Sequence, residues 1–193
     1  MRNVKIARKK LDRVAAQIGD REVKFSVLCR YLNKEFESLS VRFKSKAEEY
    51  YSFCVSGFFN SYSTVEFDEK RYNVNITYNK TTPYVNPNKI LGEILLVLVH
   101  EFRHGHQDSR RGLKLLPADK APKFKHFNKK LQENVLYLSD YDELDAYAYE
   151  AAYAAKLNRD NSWIVNRYKK VLGKHAPKLY FRFLKKLYLF TNK

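Results

Sequence analysis

The sequence predicts an α+β protein in which a few strands are set among helices, and three observations carry that reading. Residues 1–50 place apolar side chains at helical spacing, residues 51–82 turn to Ser, Thr, Tyr, Phe and Val with period-two alternation, and helical spacing returns from about Lys89. The chain has 193 residues, 45% of them hydrophobic and 15% aromatic, which is enough to bury a core and argues against wholesale disorder. No internal repeat or low-complexity linker interrupts it. One domain over 1–193 is expected, with a helical part (1–50), a core (51–155) and a basic helical part (156–193).

Val4, Ala7, Leu11, Val14 and Ile18 define the inward face of a first amphipathic helix, broken near Gly19-Asp20. A second helix would turn Val23, Val27, Leu28, Tyr31, Leu32 and Phe36 inward. Tyr72-Asn-Val74-Asn-Ile76-Thr-Tyr78 alternates apolar with polar residues, the pattern of a half-buried strand. The runs YSFCVSGFF and STVEF before it supply one or two more strands. Asn79 to Asn88, with Pro83 and Pro87, reads as a loop. A buried helix follows from about Lys89 to Gly105, with Asn88 as N-cap and apolar residues nearly all round before His100. Residues 106–130, with Gly112, Pro117 and Pro122, read as a basic irregular stretch. Helices follow at about 142–158, 161–173 and 177–191.

The formal charge of +16 is unevenly distributed. Lys and Arg dominate residues 109–131 and 156–193, where Asp119 and Asp160 are the sole acids, whereas residues 132–150 hold carboxylates and no Lys or Arg. The basic regions, with Arg110, Arg111, Lys185 and Lys186 as contact candidates, fit nucleic acid or another acidic partner, or else a solvated surface. Cys29 and Cys54 form neither a disulfide framework nor a metal-ligand spacing. They read as small buried hydrophobes, which favours a reducing compartment. The basic N-terminus lacks the apolar core of a secretory signal, and ILLVLVH is too short to span a bilayer. A cytoplasmic location is expected, that of the host if the chain is phage-encoded.

The chemistry centres on Val99-His100-Glu101-Phe102-Arg103-His104. Residues four apart lie on one helix face, so both histidines can present a ring nitrogen to one metal at about 2.0–2.1 Å. Glu101 falls within an arc of about 100° that includes both rings and can reach a metal-bound water without ligating the metal. Phe102 points the other way, into the core. A hydrolytic zinc site wants a third protein ligand, and Gln107 and Arg110 stand where the HExxHxxGxxH continuation needs Gly and His. His106 reads as a surface or outer-shell residue, and His126 and His175 as surface residues. The better source is the acidic stretch, where Glu143, Ala146, Tyr147, Glu150 and Ala154 share one helical face and the alanines permit close helix approach. Glu143 is the leading third ligand, with Glu150, Asp142 and Asp145 as alternatives. Asp142 also suits the helix dipole, and Glu150, Asp145 and Arg103 suit outer-shell support of a histidine ring.

HEFRH followed on a later helix by ELDAYAYE resembles the gluzincin pattern of HExxH plus a downstream E-x-x-A/D. It is similar to small metallopeptidases of phages and bacteria, whose motifs read HE-hydrophobic-RH-x-x-Q and then E-x-[DE]-A. The resemblance covers about residues 70–155. It implies a zincin-like fold: a small antiparallel or mixed sheet packed on the buried HExxH helix, with additional helices at both ends. It also implies a Zn2+ cofactor, with His100, His104 and Glu143 as ligands and Glu101 as catalytic base.

The expected activity is hydrolysis of a protein or peptide substrate, in which metal acidifies a water to a pKa of about 7 and Glu101 takes its proton. The developing oxyanion needs a second donor, for which Tyr147 is the first choice and Tyr141 or Arg103 are others. One rival is a basic nucleic-acid-binding module whose HExxH site is structural or inactive. In that reading the run Tyr180-Phe-Arg-Phe-Leu-Lys-Lys-Leu-Tyr-Leu-Phe could stack on bases, although its spacing fits a packing helix better. Another rival is a zinc hydrolase of a different amide, such as one in the cell wall.

Overall fold

The computed structural model describes residues 1–48, 54–63, 68–79, 84–111, 129–160 and 162–192. Its elements are α+β: helices with a two-stranded and a three-stranded sheet. The chain divides into two compact units, Met1–Phe102 and Arg103–Lys193, and the division falls inside a single helix.

In the first unit, α1 (Arg2–Ile18) buries Val4, Ala7, Leu11, Val14 and Ile18, the apolar stripe expected of it. Gly19 ends the helix at φ 67°, in the left-handed region, and its N–H donates to Ala15 O. Val23 is not helical as expected: with Lys24 it forms β1, paired antiparallel with β5 (Tyr84–Val85). Helix α2 (Phe25–Phe36) buries Phe25, Leu28, Cys29, Leu32 and Phe36. Tyr31 instead faces solvent. Burial alone pushes the Cys29 thiol up to about 11, which keeps it protonated at neutral pH.

Helix does not continue to residue 50. Ser40 takes a left-handed turn, and the chain enters β2 (Val41–Glu48). There Val41 and Phe43 are buried while Arg42 and Lys44 are exposed, a period-two pattern too short to stand out beside the helical run before it. Strand β3 (Cys54–Ser63) and strand β4 (Asp68–Asn79) complete a mixed sheet of order β2-β4-β3. Its β2–β4 pairing is parallel and its β3–β4 pairing antiparallel. Val74 and Ile76 are fully buried, as expected, but Asn73 and Thr77 on the other face are buried as well, because β4 is the central strand of the three. Most of the STVEF segment lies outside the described residues.

Helix α3 runs from Pro87 to Arg111, longer at both ends than expected. Its cap is Asn86 rather than Asn88: the Asn86 side chain accepts from Asn88 N–H at 2.9 Å, and Pro87 opens the helix, where its missing N–H costs nothing. Ile90, Leu91, Ile94, Leu95, Leu98, Val99 and Phe102 are buried, each contributing about 1.5–3 kcal/mol. Tyr72 packs edge-on against Phe102, with ring centroids 4.7 Å apart.

The second unit opens with the end of α3, which carries residues 106–111 as helix rather than as the irregular chain expected there. Residues 112–128, including His126, lie outside the described residues. Helix α4 (Lys129–Ser139) stands where no helix was expected. Helix α5 (Tyr141–Lys156) starts one residue earlier than expected because Asp140 caps it, accepting from Asp142 N–H at 2.8 Å and Glu143 N–H at 3.2 Å. Helix α6 (Ser162–Tyr168) widens into a π-helical turn over Lys169–Gly173, and α7 (Pro177–Thr191) follows. Their core gathers Val135, Leu138, Leu144, Ala148, Ala151, Ile164, Tyr168, Leu172 and Phe183. Tyr168 and Phe183 stack at 4.1 Å. Among the described residues no helix is long and apolar enough to cross a membrane.

Candidate metal centre

Helix α3 is unbroken through His100, Glu101 and His104, so the two histidines are one turn apart on one face. His100 and Glu101 are buried, and the His104 side chain is 12% exposed. Glu143 stands in the first turn of α5, fixed there by the Asp140 cap, and its Oε1 lies 3.6 Å from His104 Nε2. His100, His104 and Glu143 offer ligand atoms that all lie within 4.8 Å of one another. They are the sole such group of three among the described residues. Two imidazoles and a carboxylate are the donor set of a hydrolytic zinc site, so the residues present fit the ion.

The orientation of His104 follows from its neighbours. Gln107 is buried and its Nε2 donates to the backbone carbonyl of Asp142 at 3.0 Å and to Asp145 Oδ2 at 3.2 Å. A carbonyl can only accept, so the amide nitrogen must face it and Oε1 must face His104 Nδ1, 3.0 Å away. The ring therefore donates from Nδ1 and leaves the Nε2 lone pair toward Glu143, the arrangement a metal-ligating histidine requires.

Asp145 holds this chain in place. Arg103 Nε donates to its Oδ2 at 2.5 Å, and the Lys186 ammonium donates to its Oδ1. Burial pushes the Asp145 carboxyl up, but the hydrogen bonds from Arg103 and Lys186 outweigh it and hold it below its ordinary value. Desolvation pulls Lys186 down, and Asp145 more than reverses this, so its pKa is raised. Arg103 also lies over the rings of Phe190 and Tyr149, at 5.0 and 5.4 Å from their centroids. Gln107, which sequence reasoning left without a role, thus orients His104, and Arg103, an outer-shell candidate from the sequence, holds Asp145 rather than a histidine ring.

Tyr147 belongs to an aromatic group on the same helix face as Glu143. Its hydroxyl is 3.3 Å from that of Tyr137 on α4, and its ring meets Trp163 and Tyr168 edge-on. Burial first, then the charge of Glu143, push the Tyr137 hydroxyl far up, and Tyr137 is hydrogen-bonded to Glu143. Tyr147 is raised chiefly by burial, with the Glu143 and Glu150 charges adding to it. Both hydroxyls stay protonated at neutral pH. Tyr137 was missed because the helix that carries it was not recognised.

Glu150 is buried on α5, where its charge bears on Tyr147. Tyr141 opens α5 and is exposed beneath the Lys186 ammonium, 5.0 Å from its ring centre. His106 and His175 are half-buried, neither in the metal-ligating group. Arg110 and Arg111 close α3, and Lys185 is exposed on α7, whereas Lys186 is committed to Asp145.

Glu101 extends from α3 toward the three-stranded sheet. A side chain at Gly57 of β3 would meet Val97 Cγ1 at 2.5 Å and Glu101 Cγ at 3.1 Å, so only glycine lets strand and helix approach this closely. Comparison of the chain with protein-family models, with curated proteins and with solved structures gives no match.

Proposed function

We propose that the protein is a zinc-dependent peptidase with a zincin-like arrangement, in which His100, His104 and Glu143 hold the metal and Glu101 is the general base. The observation that carries this reading is the His104–Gln107–Asp145 chain. It fixes one imidazole as a donor at Nδ1 and so as a ligand at Nε2, and it adjoins a histidine and a carboxylate within ligating reach of one another.

Zinc held by His100, His104 and Glu143 would supply a Lewis acid and an acidified water. Glu101 is the general base that would accept a proton from water and return it to the leaving amine. The protonated Tyr147–Tyr137 pair beside Glu143 is the donor assigned to the developing oxyanion. A peptide substrate suits the edge of the sheet. Among the described residues β3 pairs with β4 alone, so its outer edge offers backbone N–H and C=O groups beside the helix carrying Glu101. The opposite edge is blunted at Phe43, whose N–H and C=O bond the Asn33 side chain at 2.8 and 3.0 Å.

The test is turnover of unfolded casein and of peptide mixtures by wild type and Glu101→Gln. The variant should keep its metal and lose about 10²–10⁴-fold in rate. Equal turnover in the two proteins would remove Glu101 from the mechanism.

A further inference from the structure

Helix α7 has two faces, and the metal centre uses only the inner one. Phe183 is fully buried, with Leu179, Tyr180, Leu184, Leu187 and Phe190 packed against the same core. At about 100° per residue, the opposite arc of about 120° carries Lys178, Phe181, Arg182, Lys185, Tyr188 and Leu189. All six are exposed, Phe181 at 68% and Tyr188 at 69%. Isolated exposed aromatics are ordinary, but two rings and a leucine on one short helical face form a patch that a partner would cover.

The charge of the face identifies the partner. Helix α7 contains no acidic residue, and among the described residues Lys178, Arg182 and Lys185 form no ion pair. Phe181 and Tyr188 are seven residues apart, hence nearly in line and about 10 Å apart along the axis. A row of two rings runs beside a row of three cations. Bases stack on such rings while phosphates follow the cations, and a duplex would hide its bases from them. A membrane-surface helix instead turns its continuous apolar stripe to the lipid, and on α7 that stripe is already against the core.

We propose that the outward face of α7 binds single-stranded nucleic acid, through Phe181 and Tyr188 to bases and Lys178, Arg182 and Lys185 to phosphates. The site is separate from the metal ligands and does not depend on hydrolysis. The test is fluorescence anisotropy of the full chain with a labelled oligo-dT strand and with a duplex of the same length, across a salt series, beside co-sedimentation with phosphatidylserine vesicles. The wild type should prefer the strand to the duplex. The double variant Phe181→Ala, Tyr188→Ala should weaken strand binding by roughly 25-fold or more, while Phe181→Trp, Tyr188→Trp keeps it. Replacing Lys178, Arg182 and Lys185 with Ala should lower the slope of log affinity against log salt by about 2. Strand affinity unchanged by loss of both rings would overturn the proposal. So would duplex binding equal to strand binding, or retention on vesicles alone.

Discussion

His104 shows how much of this site is decided by atoms several bonds away from the ring itself. Its tautomer depends on Gln107, the Gln107 amide is oriented by the Asp142 carbonyl, and Asp145 is pinned by Arg103 and Lys186. Gln107→Leu should therefore keep the fold and weaken metal affinity about 10–100-fold, read by competition with a chelating dye. Unchanged affinity would show that the ring is held by something else. Asp145 permits a pH test. Its folded pKa is depressed, so its stabilising contribution is complete above the unfolded value of about 3.9 and is lost as pH falls through the folded value. Asp145→Asn should cost about 1–3 kcal/mol in urea unfolding at pH 7, with the gap to wild type closing below about pH 4. A gap independent of pH would point to packing rather than charge. At this scale the HExxH spacing was legible because it lies within one helix. The roles of Gln107 and Tyr137 were not, because each depends on a neighbour brought in by a different helix, and Arg103, an outer-shell candidate from the sequence, holds Asp145 rather than a histidine ring.

Among the elements, α3 is the most legible, since an apolar run ending in His-Glu-x-x-His has few other readings. Its cap moved from Asn88 to Asn86 because Pro87 is itself a good first helical residue, a local choice that hydrophobic spacing does not record. Strand β2 and helix α4 were missed for related reasons. Val41 and Phe43 give only two inward positions, and α4 follows a basic, proline-containing stretch that disguises where periodicity resumes. The strand that matters for chemistry is β3, whose Gly57 lies against Val97 and Glu101. Gly57→Ala should cost about 1–3 kcal/mol, and should lower turnover more than metal content, because the added methyl meets the Glu101 side chain directly. Differential scanning fluorimetry and metal analysis on the same sample separate these effects. Native-like stability and turnover would show that Val97 yields and the close approach is not needed.

On the scale of the whole molecule, the α+β fold class was legible in the sequence. Composition and the change from helical to alternating spacing give α+β, and the division into two compact units falls inside α3, between Phe102 and Arg103. The net charge of +16 says only that anions are attracted; the placement of Phe181 and Tyr188 among cations on α7 is what supports the proposed use of that charge. The central claim remains the metal. The most direct measurement is metal content by plasma mass spectrometry on protein purified without chelator and offered zinc, comparing wild type with His104→Ala and Glu143→Gln. The account predicts about one zinc per wild-type chain, lost in His104→Ala and weakened in Glu143→Gln. A wild type that holds no zinc after add-back would contradict it.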